Sequence, residues 1–272
     1  MTDNDTMRPS IFAGLKVHKA TDIEHQGMCI AIYGPAGTGK TTLAAGAADV
    51  KEGGKTVILD AEGGAKAVAH RGDIDIIDIN DWPQLRRFSQ ELVSADVIPW
   101  DTIILDNLTE YQSVNMRDIL KQAGRDMTQI QDFNRNTIDM LTMTRTMRDI
   151  ARKRGINVIL IAWDSPEKDE TTGFIKRDVG FTPSLARQFP GIVDIVGYLT
   201  VENDPPRSTR HISFTVSPRT AAKFRRSKNE NAMKIPLELW FGENNNLMAD
   251  IISTLRYGKP FDAAKYSKPE KR

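Results

Sequence analysis

The sequence predicts an α/β domain on a mostly parallel, twisted sheet flanked by helices, with antiparallel strands at its C-terminal end. Three observations carry this expectation. Short apolar runs alternate with segments of helical spacing from residue 28 onward, the pattern of strands joined by helical crossovers. The run at 156–162 is apolar at nearly every position, which suits a strand covered on both faces. A glycine-rich octapeptide, Gly34-Pro-Ala-Gly-Thr-Gly-Lys-Thr41, stands between the first apolar run and the first helical stretch.

The elements follow in order. Residues 28–33 form a strand and 40–49 an alanine-rich helix; 56–59 form a strand ending at Asp60 and 74–79 another. Leu85, Phe88 and Leu92 give 81–95 a helical apolar face. The strand 102–105 ends at Asp106, and a long helical region then places Ile130, Phe133, Thr137, Leu141, Thr144 and Met147 on one stripe expected to face the core. The strand 156–162 marks the sheet centre. Polar, glycine-containing 164–180 reads as a loop or hairpin, and 192–201 and 211–216 as an antiparallel pair of strands. A basic loop at 223–228 and a frayed, basic end from 265 complete the chain.

With 272 residues the chain can bury one large core. The expected division is an N-terminal extension over 1–25, the α/β domain over 26–258 and a basic flexible tail over 259–272. A net charge of +1 excludes wholesale attraction to nucleic acid, so any DNA contact must be local. The single cysteine, Cys29, lies in an apolar strand, which leaves disulfides, cysteine metal sites and a thiol nucleophile without support. The amino terminus is polar and no run approaches the ~18 apolar residues of a membrane span, so a cytoplasmic protein is expected.

The octapeptide fits G-x-x-x-x-G-K-[ST] at every defined position. Its residues Gly34, Pro35, Ala36, Gly37, Thr38 and Gly39 can wrap backbone N–H groups around phosphate oxygens at the positive end of the following helix. Lys40 is expected to neutralise the β- and γ-phosphates of ATP, Thr41 to offer its hydroxyl to Mg²⁺, and Thr42 to reach the α-phosphate. The second metal anchor should be an acid at the end of a buried strand. Asp106 is the choice; Asp60, which ends a similar strand, competes.

Val57-Ile-Leu-Asp-Ala-Glu62-Gly resembles the RecA-family signature in which a strand ends in Asp-Ala-Glu. The resemblance implies that Glu62 is the general base that activates water, with Glu110 as an alternative. Asp106-Asn-Leu-Thr-Glu110 is similar to that family's metal-binding strand end. Where the family carries a polar γ-phosphate sensor this chain has Trp163-Asp164, and the following loop corresponds to a DNA-contacting one, with Lys168, Phe174, Lys176 and Arg177 as its contacts. Lys223 and Arg225 resemble a K-x-R pair that reaches the γ-phosphate of a neighbouring subunit. Over most of 26–242 the chain is similar to the small phage-encoded RecA-like ATPases of single-strand annealing and recombination. That likeness implies single-stranded DNA binding, homo-oligomers, a single-strand-binding protein as a partner and a host-cell cytoplasm. A nucleotide-switched assembly or loading factor with a protein partner is the alternative, and the neutral net charge and acidic 164–180 loop speak for it. The same acids disfavour a small-molecule kinase, which needs an arginine-rich lid.

Overall fold

The computed structural model describes residues 26–168, 173, 175–204, 207–225, 230–242 and 246–269. Its strands are β1 (Cys29–Gly34), β2 (Thr56–Asp60), β3 (Ile74–Asp78), β4 (Thr102–Asp106), β5 (Asn157–Lys168), β6 (Ile175–Val179), β7 (Ile195–Asp204), β8 (Arg207–Ser213), β9 (Lys223–Phe224) and β10 (Glu238–Phe241). The helices are α1 (Lys40–Ala45), α2 (Trp82–Ser94), α3 (Leu108–Gln122), α4 (Ile130–Arg154), α5 (Pro183–Ile192), α6 (Glu230–Met233) and α7 (Leu247–Tyr257). The sheet runs β10-β8-β7-β1-β5-β4-β2-β3, with β6 on β5 and β9 on β7. From β3 to β7 every pair is parallel; β8 and β10 add antiparallel strands at one side, as the sequence predicts.

Alternation along the strands divides the core between two faces. On β1, Cys29, Ala31 and Tyr33 join Val57, Leu59, Leu105 and Leu160 in one cluster, beneath α2, α3, α4 and α5. Ile30 and Ile32 join Ile58, Ile104, Ile159 and Ile161 on the other face, beneath α1 and α7. The central strands β1, β2 and β4 and the first half of β5 are therefore apolar at consecutive positions, because both of their faces are covered.

Helix limits follow local chemistry. Asp81 accepts from the Gln84 N–H at the start of α2, and Asn107 accepts from the Glu110 N–H at the start of α3. At α4, Gln129 and Asp132 form a reciprocal capping box, and Gly155 ends the helix at φ 65°.

Several expectations need correction. The strand expected at 192–201 begins only at Ile195, because Pro183–Ile192 forms α5. The α4 stripe is buried at Thr137, Leu141, Thr144 and Met147, but Ile130 is 84 % exposed and Phe133 43 %, since the first turn overhangs the core. The polar 164–180 stretch needs no correction: of the two forms expected, loop or hairpin, its described part is the hairpin, with β5 running on through Lys168 and pairing with β6. Residues 263–266, expected to belong to a flexible tail, form a 3-10 turn whose buried Tyr266 stacks on Phe261. The 1–25 extension and Phe174 lie outside the described residues.

Candidate nucleotide and metal site

The parallel strands bring their carboxyl ends to one edge of the sheet. Gly34 stands opposite Trp163, and Asp60 opposite Asp106, so the segments that follow β1, β2 and β4 share one crevice with the stretch of β5 at Trp163, the usual ligand edge of an open α/β sheet.

The loop from Gly34 to Lys40 is shaped by glycine. Gly37 and Gly39 hold φ of 76° and 88°, left-handed values that other L residues rarely adopt. A Cβ on Gly34 would lie 2.1 Å from the Leu199 carbonyl oxygen, so the loop leaves β1 pressed against β7. Lys40 is buried on the first turn of α1, and its Nζ donates to the carbonyls of Gly34 (2.9 Å) and Pro35 (2.8 Å). Burial lowers the Lys40 pKa, with Asp106, Asp164 and Glu62 countering. Thr38 Oγ1 donates to the Pro35 carbonyl at 2.9 Å, tying the loop to itself. Thr42 is exposed on the same turn of α1.

Arg210, on β8, braces the loop from outside. Its Nε donates to the Thr38 carbonyl at 3.1 Å and lies 2.6 Å from where a Gly39 Cβ would sit. A cleft bounded by Pro35, Thr38, Arg177, Tyr198, Ser208 and Arg210 opens beside it. Replacing this brace, Arg210→Ala, is expected to weaken ATP binding about fivefold, the value of roughly one net hydrogen bond. An equilibrium titration with a fluorescent ATP analogue reads the change; an unaltered Kd would show that the loop keeps its shape unaided.

Asp60 and Asp106 separate by what surrounds them. Asp60 Oδ1 accepts from the N–H groups of Glu62 (3.0 Å), Gly63 (2.8 Å) and Gly64 (3.1 Å), and Oδ2 from that of Ala65 (2.8 Å). Its carboxylate organises the turn after β2. Asp106 instead accepts from the Thr41 hydroxyl at 2.6 Å. Burial raises the Asp106 pKa to about 6; the Thr41 bond and Lys40 oppose that shift, while Glu62 and Asp60 add to it. Glu62 is also raised, first by burial and then by Asp60 and Glu110, with Asn107 and Lys40 pulling it down. A Cβ on Gly64 would lie 3.3 Å from Asp106 Oδ2 and 3.6 Å from Glu62 Oε1, which places both carboxylates around one small space.

Three carboxylates crowded beside one lysine leave surplus negative charge, and a hydroxyl with a carboxylate is the oxygen donor set of a hard divalent cation. Thr41 and Asp106 therefore fit Mg²⁺. The described residues contain no group of three or more His, Cys, Asp or Glu side chains that could hold a metal without substrate or water.

The other expected residues are distributed differently. Glu110 sits on the first turn of α3 and accepts from Arg117 at 2.9 Å. The Trp163 N–H donates to Thr109 Oγ1 at 3.0 Å, and Asp164 Oδ2 accepts from Arg177 (3.1 Å) and Tyr198 (3.3 Å). On the hairpin Lys168 is exposed, and Lys176 lies 3.0 Å from Asp178. Lys223 and Arg225 lie by the other end of the strands, near Cys29 rather than Gly34. Lys223 Nζ donates to the carbonyls of Pro190, Gly191 and Val193, closing the end of α5, and Arg225 pairs with Asp194 at 3.0 Å. Within its own chain this pair does not join the crevice.

Sequence reading overlooked Arg210 and Asn107. Nothing around Arg210 marks it, because its role depends on β8 lying across β7 from the loop. Asn107 carried a readable signal: an asparagine three residues before Glu110, at the start of a helical segment.

A family model described as an AAA domain matches residues 26–226. Among solved structures, the chain is similar to the crystal structure of the RadB recombinase at 20 % identity and a TM-score of 0.44, over 80 % of this chain and 88 % of that one. No curated protein matches the chain significantly.

Proposed function

Because the chain belongs to the AAA-domain family, we propose that it binds ATP with Mg²⁺ and hydrolyses it as a RecA-like protein acting on single-stranded DNA. The observation that carries the reading is the meeting of Lys40, the Thr41–Asp106 pair and Glu62 at one crevice edge.

In this reading the loop N–H groups and the positive end of α1 wrap the phosphates, and Lys40 exchanges its two carbonyl partners for phosphate oxygens. Thr41 and Asp106 would hold Mg²⁺, which supplies positive charge against the phosphate oxygens when bound. Glu62 orients the attacking water and takes its proton on the carboxylate as the water oxygen bonds to the γ-phosphorus and the bond to ADP breaks. Burial favours that step, because a raised pKa makes Glu62 a stronger base.

The hairpin of β5 and β6 continues the strand that lies between β1 and β4, so it rises directly from the crevice. Lys168, Lys176 and Arg177 are its described cations, and we assign the DNA contact to them. Assembly into homo-oligomers belongs to the same reading, as does a single-strand-binding protein working on the same strand. Lys223 and Arg225 would reach a neighbour's γ-phosphate only by giving up their contacts at α5 and Asp194.

One observation favours a second reading, a nucleotide-switched loading factor with a protein partner. Arg177 and Lys176 are each paired with an aspartate, which weakens the hairpin's attraction for phosphate. Steady-state ATP hydrolysis with and without single-stranded DNA, over a range of protein concentrations, decides between them. A several-fold rise with DNA and a rate per subunit that climbs with concentration are expected. Slow turnover indifferent to DNA would overturn the DNA-dependent reading and leave the loading factor.

A further inference from the structure

Asn107 follows Asp106, is 0 % exposed, and caps α3 through its side-chain oxygen, which accepts from the Glu110 N–H at 2.8 Å. That bond fixes the amide's orientation: with Oδ1 committed to the helix, Nδ2 must point away from it. Nδ2 is buried and has no acceptor at full hydrogen-bonding distance among the described residues, the Glu62 carboxylate being the group it approaches. A buried, unsatisfied donor is costly, so its persistence calls for an acceptor supplied by a working state of the site.

The register identifies that acceptor. Asp60 pairs with Asp106, and the Ala61 N–H donates to the Asp106 carbonyl at 2.8 Å, which carries the β2–β4 ladder one residue past Asp60 and up to Asp106. The next residues out are Glu62 on one chain segment and Asn107 on the other. The space beside Gly64 already holds the Glu62 and Asp106 carboxylates together. The polar influence of Asn107 on Glu62, opposing burial, agrees with this placement.

We propose that Asn107 is the positioning residue of the general base: its Nδ2 donates to the Glu62 carboxylate in the nucleotide-bound state and aims that carboxylate at the attacking water. The inference rests on the reading of Glu62 as the base. Serine also caps helices well but has no amide donor, so Asn107→Ser removes the donor while retaining a capping side chain.

The experiment measures single-turnover ATP cleavage with enzyme in excess for wild type, Asn107→Ser, Glu62→Gln and the double variant, alongside nucleotide Kd and Tm. Asn107→Ser is expected to slow cleavage about tenfold, part of the 10²–10⁴ that a positioned base contributes. Its Kd and Tm should stay at the wild-type values, and it should add nothing in the Glu62→Gln background. A purely structural cap would instead lower Tm or slow both backgrounds by the same factor, and either result overturns the proposal. So does a wild-type cleavage rate for Asn107→Ser. If Glu62→Gln itself cleaves at the wild-type rate, the base assignment fails and this inference falls with it; if Glu62→Gln is slow and Asn107→Ser multiplies that loss, only the inference fails.

Discussion

Glu62→Gln is expected to lower kcat for ATP hydrolysis by about 10²–10⁴, the range for losing a positioned general base, while the nucleotide Kd stays within about twofold. The amide keeps the size of the side chain and loses only its ability to take a proton. The phosphates are held elsewhere, by the loop, Lys40 and Thr41, so binding and chemistry should separate cleanly in this variant. Pre-steady-state cleavage together with equilibrium binding reads both quantities. A proportional loss of affinity and rate would mean that Glu62 acts in holding the nucleotide rather than in the chemical step.

Asp60→Ala is expected to produce the largest loss of stability, about 3 kcal/mol or more by chemical denaturation, because bonds to a charged acceptor are worth about 1.5–3 kcal/mol each. Four backbone N–H groups, from Glu62 to Ala65, would lose their acceptor together, two of them belonging to glycines that cannot hold the turn by their own preferences. The turn carries Glu62, so activity measured on the folded fraction should fall as well. A variant that keeps its stability but loses Mg²⁺-dependent binding would point instead to Asp60 as a metal anchor and would reverse the division of roles drawn from its hydrogen bonds.

That division shows where the sequence was legible and where it was not. The phosphate loop was readable because its shape is local: glycines in fixed places between a strand and a helix dictate the backbone. Asp60 and Asp106 were harder, since Thr56-Val-Ile-Leu-Asp60 and Thr102-Ile-Ile-Leu-Asp106 are nearly the same string and stand side by side in register. What separates them is the next few residues. Ala-Glu-Gly-Gly turns and offers its N–H groups back to Asp60, whereas Asn107 opens a helix and leaves Asp106 facing Thr41. Lys223 and Arg225 looked like a cationic pair on a loop because α5, whose carbonyls Lys223 closes, was not anticipated; Pro183 and Pro190 obscure its pattern. Ile130 and Phe133 have the right spacing for a core stripe, but periodicity cannot tell how far a helix runs past the sheet beneath it.

The two outer strands bear on how copies of this chain avoid sticking together. An open sheet ends in rows of backbone groups that can template another chain, and proteins blunt such borders with short strands, charge and cover. Here β3 is five residues long and carries Asp75 and Asp78, with Asp75 accepting from the Trp100 indole. At the other border β10 is only four residues long, and the 3-10 turn with buried Tyr266 packs beside it. Both borders thus resist amyloid-like stacking and runaway strand exchange, leaving helix and loop surfaces as the places where self-association can be controlled.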